Sequence, residues 1–243
     1  MSHERLLSML MLLAVPAGAQ VPEKFTNLQV LPKTTSRADL EQIMRGFSFA
    51  LGVRCDYCHA AKDGKVDSKD FALDDKETKR TARVMLRMVA AINADYIGKL
   101  EGKPAIEVAC VTCHRGLSRP QTLQAMLAET LEKKDIPSAI ALYRDLKKEY
   151  YGGAQYDFSE TSLNLLTESL LGKAKTKEAA AMMELNLEVN SPLSGWGSNL
   201  IAMAHRANGE TDKAIQDFKK ILAADPQNAW VKQQLTELES GQK

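Results

Sequence analysis

The sequence predicts an all-α protein, with a small N-terminal helical domain followed by a domain of helical repeats. Three observations support this prediction. Apolar residues recur every three to four positions along much of the chain, as they do on one face of a helix. A cysteine–histidine motif occurs twice in the first half of the chain. In the second half, a pattern of small and large apolar residues recurs at spacings of 40 and 35 residues.

The composition is that of a globular protein with balanced charge. The 243 residues include 32 Lys and Arg against 31 Asp and Glu, and 44% of them are hydrophobic. Such a balance lacks the basic footprint of a nucleic-acid-binding protein. The hydrophobic content is too high for a disordered chain. No apolar run reaches the roughly 18 residues that span a bilayer. We therefore expect neither a nucleic-acid partner nor a membrane-spanning segment.

The segment 1–19 has the features of a secretory signal peptide. Residues 6–16 (LLSMLMLLAVP) form a short apolar run, and residues 17–19 (AGA) are the small residues that precede a cleavage site. The alternative is a frayed amphipathic N-terminus, which the nearly uncharged run disfavours. We expect cleavage before Gln20 and export of a soluble protein to the periplasm or the cell exterior.

All four cysteines lie in two copies of the pentapeptide C-x-x-C-H, at residues 55–59 (CDYCH) and 110–114 (CVTCH). This spacing is the attachment signature of c-type haem. Two thiols add to the two vinyl groups of the porphyrin, and the adjacent histidine binds the iron from one side. The sequence therefore predicts two covalently attached haems. The predicted attachment residues are Cys55, Cys58, Cys110 and Cys113, and the predicted iron ligands are His59 and His114.

Three other interpretations of the cysteines fit the sequence less well. A zinc ribbon uses two C-x-x-C pairs about 15–20 residues apart, whereas Cys58 and Cys110 are 52 positions apart. Redox-active C-x-x-C motifs accompany a βαβ pattern, which the flanking sequence does not show. Structural disulfides can form in an exported protein, but they give no reason for a histidine after each pair.

The second axial ligand of each iron decides whether a haem carries electrons or binds a small molecule. The chain beyond residue 19 offers seven methionines and one further histidine for this role: Met44, Met85, Met88, Met126, Met182, Met183, Met203 and His205. Ser36 and Asp39 predict the start of a helix that carries Met44 and ends at Gly52, just before the first motif. A methionine on an apolar helix face is more often a packing residue, so its position alone leaves both roles open.

A second helix is predicted from a capping box of Asp74 and Glu77 to about residue 96 or 100. Met85 and Met88 lie one turn apart on its apolar side, and either could face a haem. The opposite side is basic and carries Lys76, Lys79, Arg80, Arg83 and Arg87. We expect these basic side chains to be mainly solvated, and the alternative is that they pair with haem propionates or with an acidic partner.

Three segments resemble the cytochrome c subunit of photosynthetic reaction centres: residues 25–32 (FTNLQVLP), the predicted Met44 helix with residues 51–55 (LGVRC), and residues 110–116 (CVTCHRG). In that family each haem unit is a helix, a turn and a C-x-x-C-H motif, and a methionine on the helix is typically the sixth ligand. The resemblance implies Met44 as ligand of the first haem, and Met88, or failing that Met85, as ligand of the second. It covers about residues 24–118 and looks like one half of a four-haem pattern.

From Pro120 onward the chain predicts paired helices similar to tetratricopeptide repeats. The second helix of each repeat carries a small residue followed one turn later by a large one. These residues are Ala139 and Tyr143, then Ala179, Met183 and Leu187, then Ala214, Phe218 and Leu222. Residues 229–238 predict a terminal capping helix. His205 falls at a packing position of the last repeat, which favours packing over iron ligation. The predicted domains are therefore 20–118 for the haems and 119–243 for the repeats.

These observations predict a dihaem c-type cytochrome that transfers single electrons between redox protein partners and has no catalytic residues. The repeat domain would bind a partner or further copies of the chain, giving a homo-oligomer or polymer. One alternative is a peroxidase-like or small-molecule-reducing enzyme with an open iron, which the lack of a further histidine near the motifs disfavours. Another is a repeat-based interaction protein whose haems are structural or sense redox state.

Overall fold

The structure, a computed structural model, describes residues 24–60, 70–102 and 106–241. Within these ranges the chain is all-α and contains no strand, which confirms the predicted fold class. Two compact units are present, the first ending at Arg119 and the second beginning at Pro120. The predicted signal peptide lies outside the described residues. No helix in the described part is long and apolar enough to cross a membrane.

Four α-helices are described in the first unit. They are α1 (Arg37–Leu51), α2 (Cys55–Cys58), α3 (Glu77–Ala91) and α4 (Cys110–His114). The backbone of α3 continues through a π-helical turn (Ile92–Tyr96) and a 3-10 turn (Ile97–Lys99). The helical backbone therefore ends at Lys99, close to the predicted end at about residue 96 or 100. Each C-x-x-C-H motif lies on one of the two short helices, α2 and α4.

The ends of α1 are where the sequence predicts them. The Ser36 hydroxyl accepts a hydrogen bond from the backbone N–H of Asp39 at 3.1 Å, which caps the helix. At the other end, Gly52 has a left-handed backbone with φ of 64°. A Cβ atom at Gly52 would lie 2.0 Å from the carbonyl oxygen of Gly116, and the N–H of Gly116 donates to the carbonyl of Ala50 at 2.9 Å. Only glycine fits this position, because it must both turn the chain and allow the two backbones to touch.

The start of α3 differs from the prediction. The helix begins at Glu77 with Lys76 as its N-cap residue, and the cap has no side-chain hydrogen bond. The predicted capping box of Asp74 and Glu77 is therefore wrong. The carboxylate of Asp74 is instead engaged by side chains from two separate parts of the chain: Asn27 and Gln29, each at 3.0 Å, Lys79 at 3.2 Å and Arg83 at 2.8 Å. Because these charged and amide side chains bind the carboxylate of Asp74, it does not cap the helix.

The second unit consists of three helical pairs followed by a single helix. The helices are α5 (Leu123–Lys133), α6 (Ile136–Tyr150), α7 (Glu160–Gly172), α8 (Thr176–Asn190), α9 (Gly195–Ala207), α10 (Thr211–Ala224) and α11 (Ala229–Glu239). Six of the eight predicted small and large residues of α6, α8 and α10 are fully buried, and Leu222 is partly buried; the six are Ala139, Tyr143, Ala179, Met183, Ala214 and Phe218. Leu187 was predicted to pack with them, but it is 40% exposed because it lies beyond the buried stripe of α8.

His205 lies in α9 and is buried, with 4% of its surface exposed. Its Nδ1 atom is 2.7 Å from Oδ2 of Asp217, which belongs to α10. The side chain therefore joins two helices of the second unit through a buried hydrogen bond. This position is the packing role that the repeat pattern predicts for His205.

Candidate haem-binding site

The first motif folds as one helical turn, α2. The backbone N–H of His59 donates to the carbonyl of Cys55 at 2.9 Å, which closes the turn. Cysteines three positions apart lie on the same side of such a turn. The Cys55 thiol is exposed and the Cys58 thiol is half-buried, and neither is in a disulfide. Burial raises the pKa of the Cys58 thiol. The motif thus presents two thiols side by side, with a histidine directly after them.

A cavity of about 910 Å³ lies beside this motif. It has the size typical of a site for a small molecule or cofactor. Three parts of the chain enclose it with mainly apolar side chains. They are the segment before α1 (Phe25, Leu28, Val30 and Leu31), α1 itself (Leu40, Met44, Phe47 and Leu51) and α3 (Ala82 and Leu86). Cys55, Cys58 and His59 complete the wall. An apolar cavity with two thiols and an imidazole on its wall fits a covalently attached porphyrin.

His59 supports this fit through an unsatisfied ring nitrogen. Its Nδ1 atom is buried and has no hydrogen-bond partner. The ring packs edge-on against Phe71, with 4.9 Å between the ring centroids. Burial, and after it the positive charge of Lys79, lowers the pKa of His59 to about 4. The imidazole is therefore neutral at neutral pH and keeps a lone pair for a metal.

Met44 is the methionine that lines the same cavity as His59. It lies on α1, half-buried, whereas His59 follows α2. The turn at Gly52 connects these two helices and brings the residues to one cavity. The structure thus places the predicted histidine and the predicted methionine of the first site together.

The basic side of α3 is only partly solvated. Lys79 is 9% exposed, and the Arg83 side chain is 12% exposed, so the expectation of a solvated face is wrong for these two residues. Both line the cavity and both bind Asp74. The hydrogen bond from Arg83, with others from Asn27 and Lys79, holds the pKa of Asp74 well below its usual range. Arg87 is exposed, as expected.

The second motif is held against the end of α3 by Asn93. The Asn93 amide donates to the carbonyl of Val108 and its oxygen accepts from the N–H of the same residue, both at 2.8 Å. Thr112 lies within the motif and accepts from the N–H of Ala109 at 3.0 Å. These bonds fix the start of α4. The sequence argument missed Asn93, although its polar side chain in an otherwise apolar stretch of helix is a signal of such a contact.

His114 differs from His59 in its hydrogen bonding. Its Nδ1 atom is 2.8 Å from the carbonyl oxygen of Leu117. Because a carbonyl only accepts, Nδ1 must carry the proton, which leaves the lone pair on Nε2. A metal-binding histidine usually has this arrangement, since the hydrogen bond orients the ring. The residues of the second motif therefore also fit a haem iron.

The two methionines proposed for the second haem lie on α3, outside the first cavity. Met88 is 44% exposed and Met85 is half-buried. Val84 lies one turn before Met88 on the same face and is 60% exposed. Val111, inside the second motif, is 43% exposed. Apart from Met85, these apolar side chains are exposed on α3 and in the second motif, and a second haem site formed by them stays a prediction.

Comparisons with known proteins agree with this geometry. Residues 11–143 match the family described as photosynthetic reaction centre cytochrome c subunit. The chain is 35% identical over 103 residues to "Cytochrome c-554" of Chloroflexus aurantiacus, covering 42% of this chain and 23% of the relative. It is 30% identical over 113 residues to the "Photosynthetic reaction center cytochrome c subunit" of Roseobacter denitrificans, covering 45% and 29%. The protein of the same name from Rubrivivax gelatinosus is 31% identical over 137 residues, covering 48% and 36%.

The matched region contains both C-x-x-C-H motifs, α1 and α3. It extends over more than half of the chain, whereas the chain spans about a quarter to a third of the length of these relatives. The motifs, the cavity and the family match all concern the same residues. The chain belongs to the photosynthetic reaction centre cytochrome c subunit family.

Proposed function

We propose that this chain is an exported dihaem c-type cytochrome that passes single electrons between redox protein partners. The observation that carries the proposal is the cavity that gathers Cys55, Cys58, His59 and Met44. Membership of a cytochrome c family supports it. The residues 1–19 would direct export and then be removed.

In the first site each residue has a separate task. A bound haem would supply an iron that alternates between the ferric and ferrous states. Cys55 and Cys58 would hold the porphyrin by thioether bonds, so that an exported protein does not lose it by dilution. His59 and Met44 would both bind the iron, which would leave it no open position for a small molecule. The apolar walls keep water away, which disfavours the more highly charged ferric state.

In the second site Cys110, Cys113 and His114 would act in the same way, with Met88, or failing that Met85, as the second axial ligand. The contact between Gly52 and Gly116 supports electron transfer between the sites, since it packs the turn before the first motif against the backbone two residues after the second. We assign no catalytic residue, because filled axial positions leave the iron no place to bind a substrate.

The second unit supplies the docking function in this proposal. Helical repeats present extended surfaces that bind other proteins. The unit would bring the haem domain to a redox partner or to further copies of the chain. The reaction-centre subunits among the relatives are named for such an assembly, and a redox protein is the partner that the haem chemistry requires.

The test is a haem count followed by a potentiometric titration of the exported protein, produced with a c-type haem maturation system. We expect two haems per chain that stay attached after denaturation, and two one-electron waves from low-spin haem. Variants in which serines replace Cys55 and Cys58, or Cys110 and Cys113, should each lose one haem and one wave. A wild-type protein with fewer than two attached haems, or with a high-spin haem that freely takes up an added ligand, would contradict the proposal.

A further inference from the structure

Lys79 is a buried cation on the wall of the first cavity. Its Nζ atom donates to the carbonyl oxygens of Phe71 at 2.8 Å and Leu73 at 2.5 Å, and lies 3.2 Å from Oδ1 of Asp74. The ring of Phe71 contacts that of His59. These bonds fix the ammonium group to the backbone of Phe71, whose ring packs against His59, the proposed iron ligand. With these three partners, the ammonium group stays at the cavity wall.

The charge around Lys79 is incompletely neutralised. Lys79 and Arg83 share the single carboxylate of Asp74, so this cluster carries one net positive charge beside an apolar cavity. A ferric iron held at Cys55, Cys58 and His59 would carry one more positive charge than a ferrous iron, and a buried cation on the same cavity wall opposes that additional charge. Charges in such surroundings are screened much less than those at the surface.

We propose that Lys79 raises the reduction potential of the haem in the first cavity. The step concerned is the gain of one electron by ferric iron to give ferrous iron, with no proton transferred. The oxidised state carries the additional positive charge, so the ammonium group destabilises it relative to the reduced state. This inference rests on the proposed function, because it requires a haem attached at Cys55 and Cys58. Lys79 acts through its charge and does not touch the iron as a ligand.

The alternative role of Lys79 is purely structural, since its bonds to Phe71 and Leu73 hold the cavity wall. Three substitutions separate the roles. Lys79→Met removes the charge and the donors. Lys79→Gln removes the charge but keeps an amide donor. Lys79→Arg keeps the positive charge and the hydrogen-bond donors. Arg87→Met is the matched control, because it removes an exposed cation from the same helix that does not line the cavity.

The experiment is a potentiometric titration of each two-haem variant, with the first wave assigned by the loss of one haem in the variant with serines at 55 and 58. We expect Lys79→Met and Lys79→Gln to reduce the equilibrium constant for reduction of the first haem about tenfold, which is about 59 mV for one electron. Lys79→Arg and Arg87→Met should stay near wild type. The second haem should not move in any variant and serves as the internal reference.

Two results would overturn the proposal. One is a first-haem potential that stays at the wild-type value in a neutral variant that retains both haems. The other is loss of the first haem in both neutral variants with retention in Lys79→Arg, which would assign Lys79 to holding the site together. Absence of attached haem in the wild-type protein is a different result, because it contradicts the proposed function itself.

Discussion

Met44 on α1 and His59, which follows α2, line the same cavity, and this arrangement leads to a prediction for a single residue. Met44→Ala removes the thioether that would bind the first iron opposite the histidine. We expect one of the two haems to become high-spin, to bind carbon monoxide when reduced and to titrate at a lower potential, since a thioether ligand favours the ferrous state. Visible spectra and potentiometry measure these changes.

The matched control for this change is Met126→Ala, which removes a methionine from α5, in the second unit. We expect it to leave both haem spectra and both potentials unchanged. If Met44→Ala also keeps two low-spin haems with unchanged potentials, Met44 is a packing residue and another side chain completes the first site.

The histidines of the two motifs, His59 and His114, show what the sequence predicts for single residues. The C-x-x-C-H motif predicts the same role for His59 and His114, and on sequence alone they are equivalent. The structure separates them, because His114 bonds to Leu117 while His59 packs against Phe71. Leu117 is three positions after His114, whereas Phe71 is 12 positions after His59, and no local pattern predicts that these two rings meet. The motif therefore predicts two iron ligands, but it does not predict the different surroundings of the two histidines.

At the level of the elements, Asp74 joins the start of α3 to the segment that covers the cavity. Its carboxylate accepts from Asn27 and Gln29 on one side and from Lys79 and Arg83 on the other. These partners hold the pKa of Asp74 below that of an unfolded chain. The carboxylate therefore contributes stability above about pH 4, and this contribution is lost as the pH falls further towards the folded-state pKa.

Asp74→Asn should lower the thermal stability of the first unit at pH 7, and the difference from wild type should shrink as the pH falls below about 4. Thermal unfolding followed at a haem absorption band, at several pH values, measures this. Asp75→Asn is the matched control, because Asp75 is the adjacent and exposed carboxylate. If the difference in thermal stability between Asp74→Asn and wild type is constant across the pH range, the ionised carboxylate of Asp74 does not stabilise the fold.

The two units were unequally predictable at this scale. Helical spacing and cap residues were enough to place α1, the second helix of each pair in the second unit and the terminal helix α11, because these signals are local. The N-terminus of α3 was mispredicted, because Asp74 has partners 47 and 45 residues away at Asn27 and Gln29. The same long-range contacts explain why two basic side chains of α3 are buried. Local patterns predict elements, and competing long-range partners decide where some of them begin.

For the whole molecule, the contact between Gly52 and Gly116 determines how the two motifs lie in one unit. Gly52→Ala would put a Cβ atom 2.0 Å from the carbonyl oxygen of Gly116. We expect a loss of stability of a few kcal/mol in the first unit, from the collision and from the left-handed backbone, which by itself costs about 1–2 kcal/mol. Thermal unfolding and haem content are the measurements.

Gly102→Ala is the control for Gly52→Ala. Gly102 has the same φ of 64°, but a Cβ atom there would meet nothing within 4 Å. It should therefore show only the cost of the backbone conformation. Equal effects of the two substitutions would mean that the contact with Gly116 contributes nothing beyond that cost.

The Gly52–Gly116 contact also bears on how the protein matures. In the proposed dihaem protein, attachment of a haem at either motif would order the backbone on its own side of the contact, and the contact would restrict the backbone on the other side as well. The second attachment then begins from a chain that has already lost much of its conformational freedom. Chains with one haem should therefore be scarce during assembly, and a population measured by mass spectrometry should consist mainly of empty and fully loaded protein.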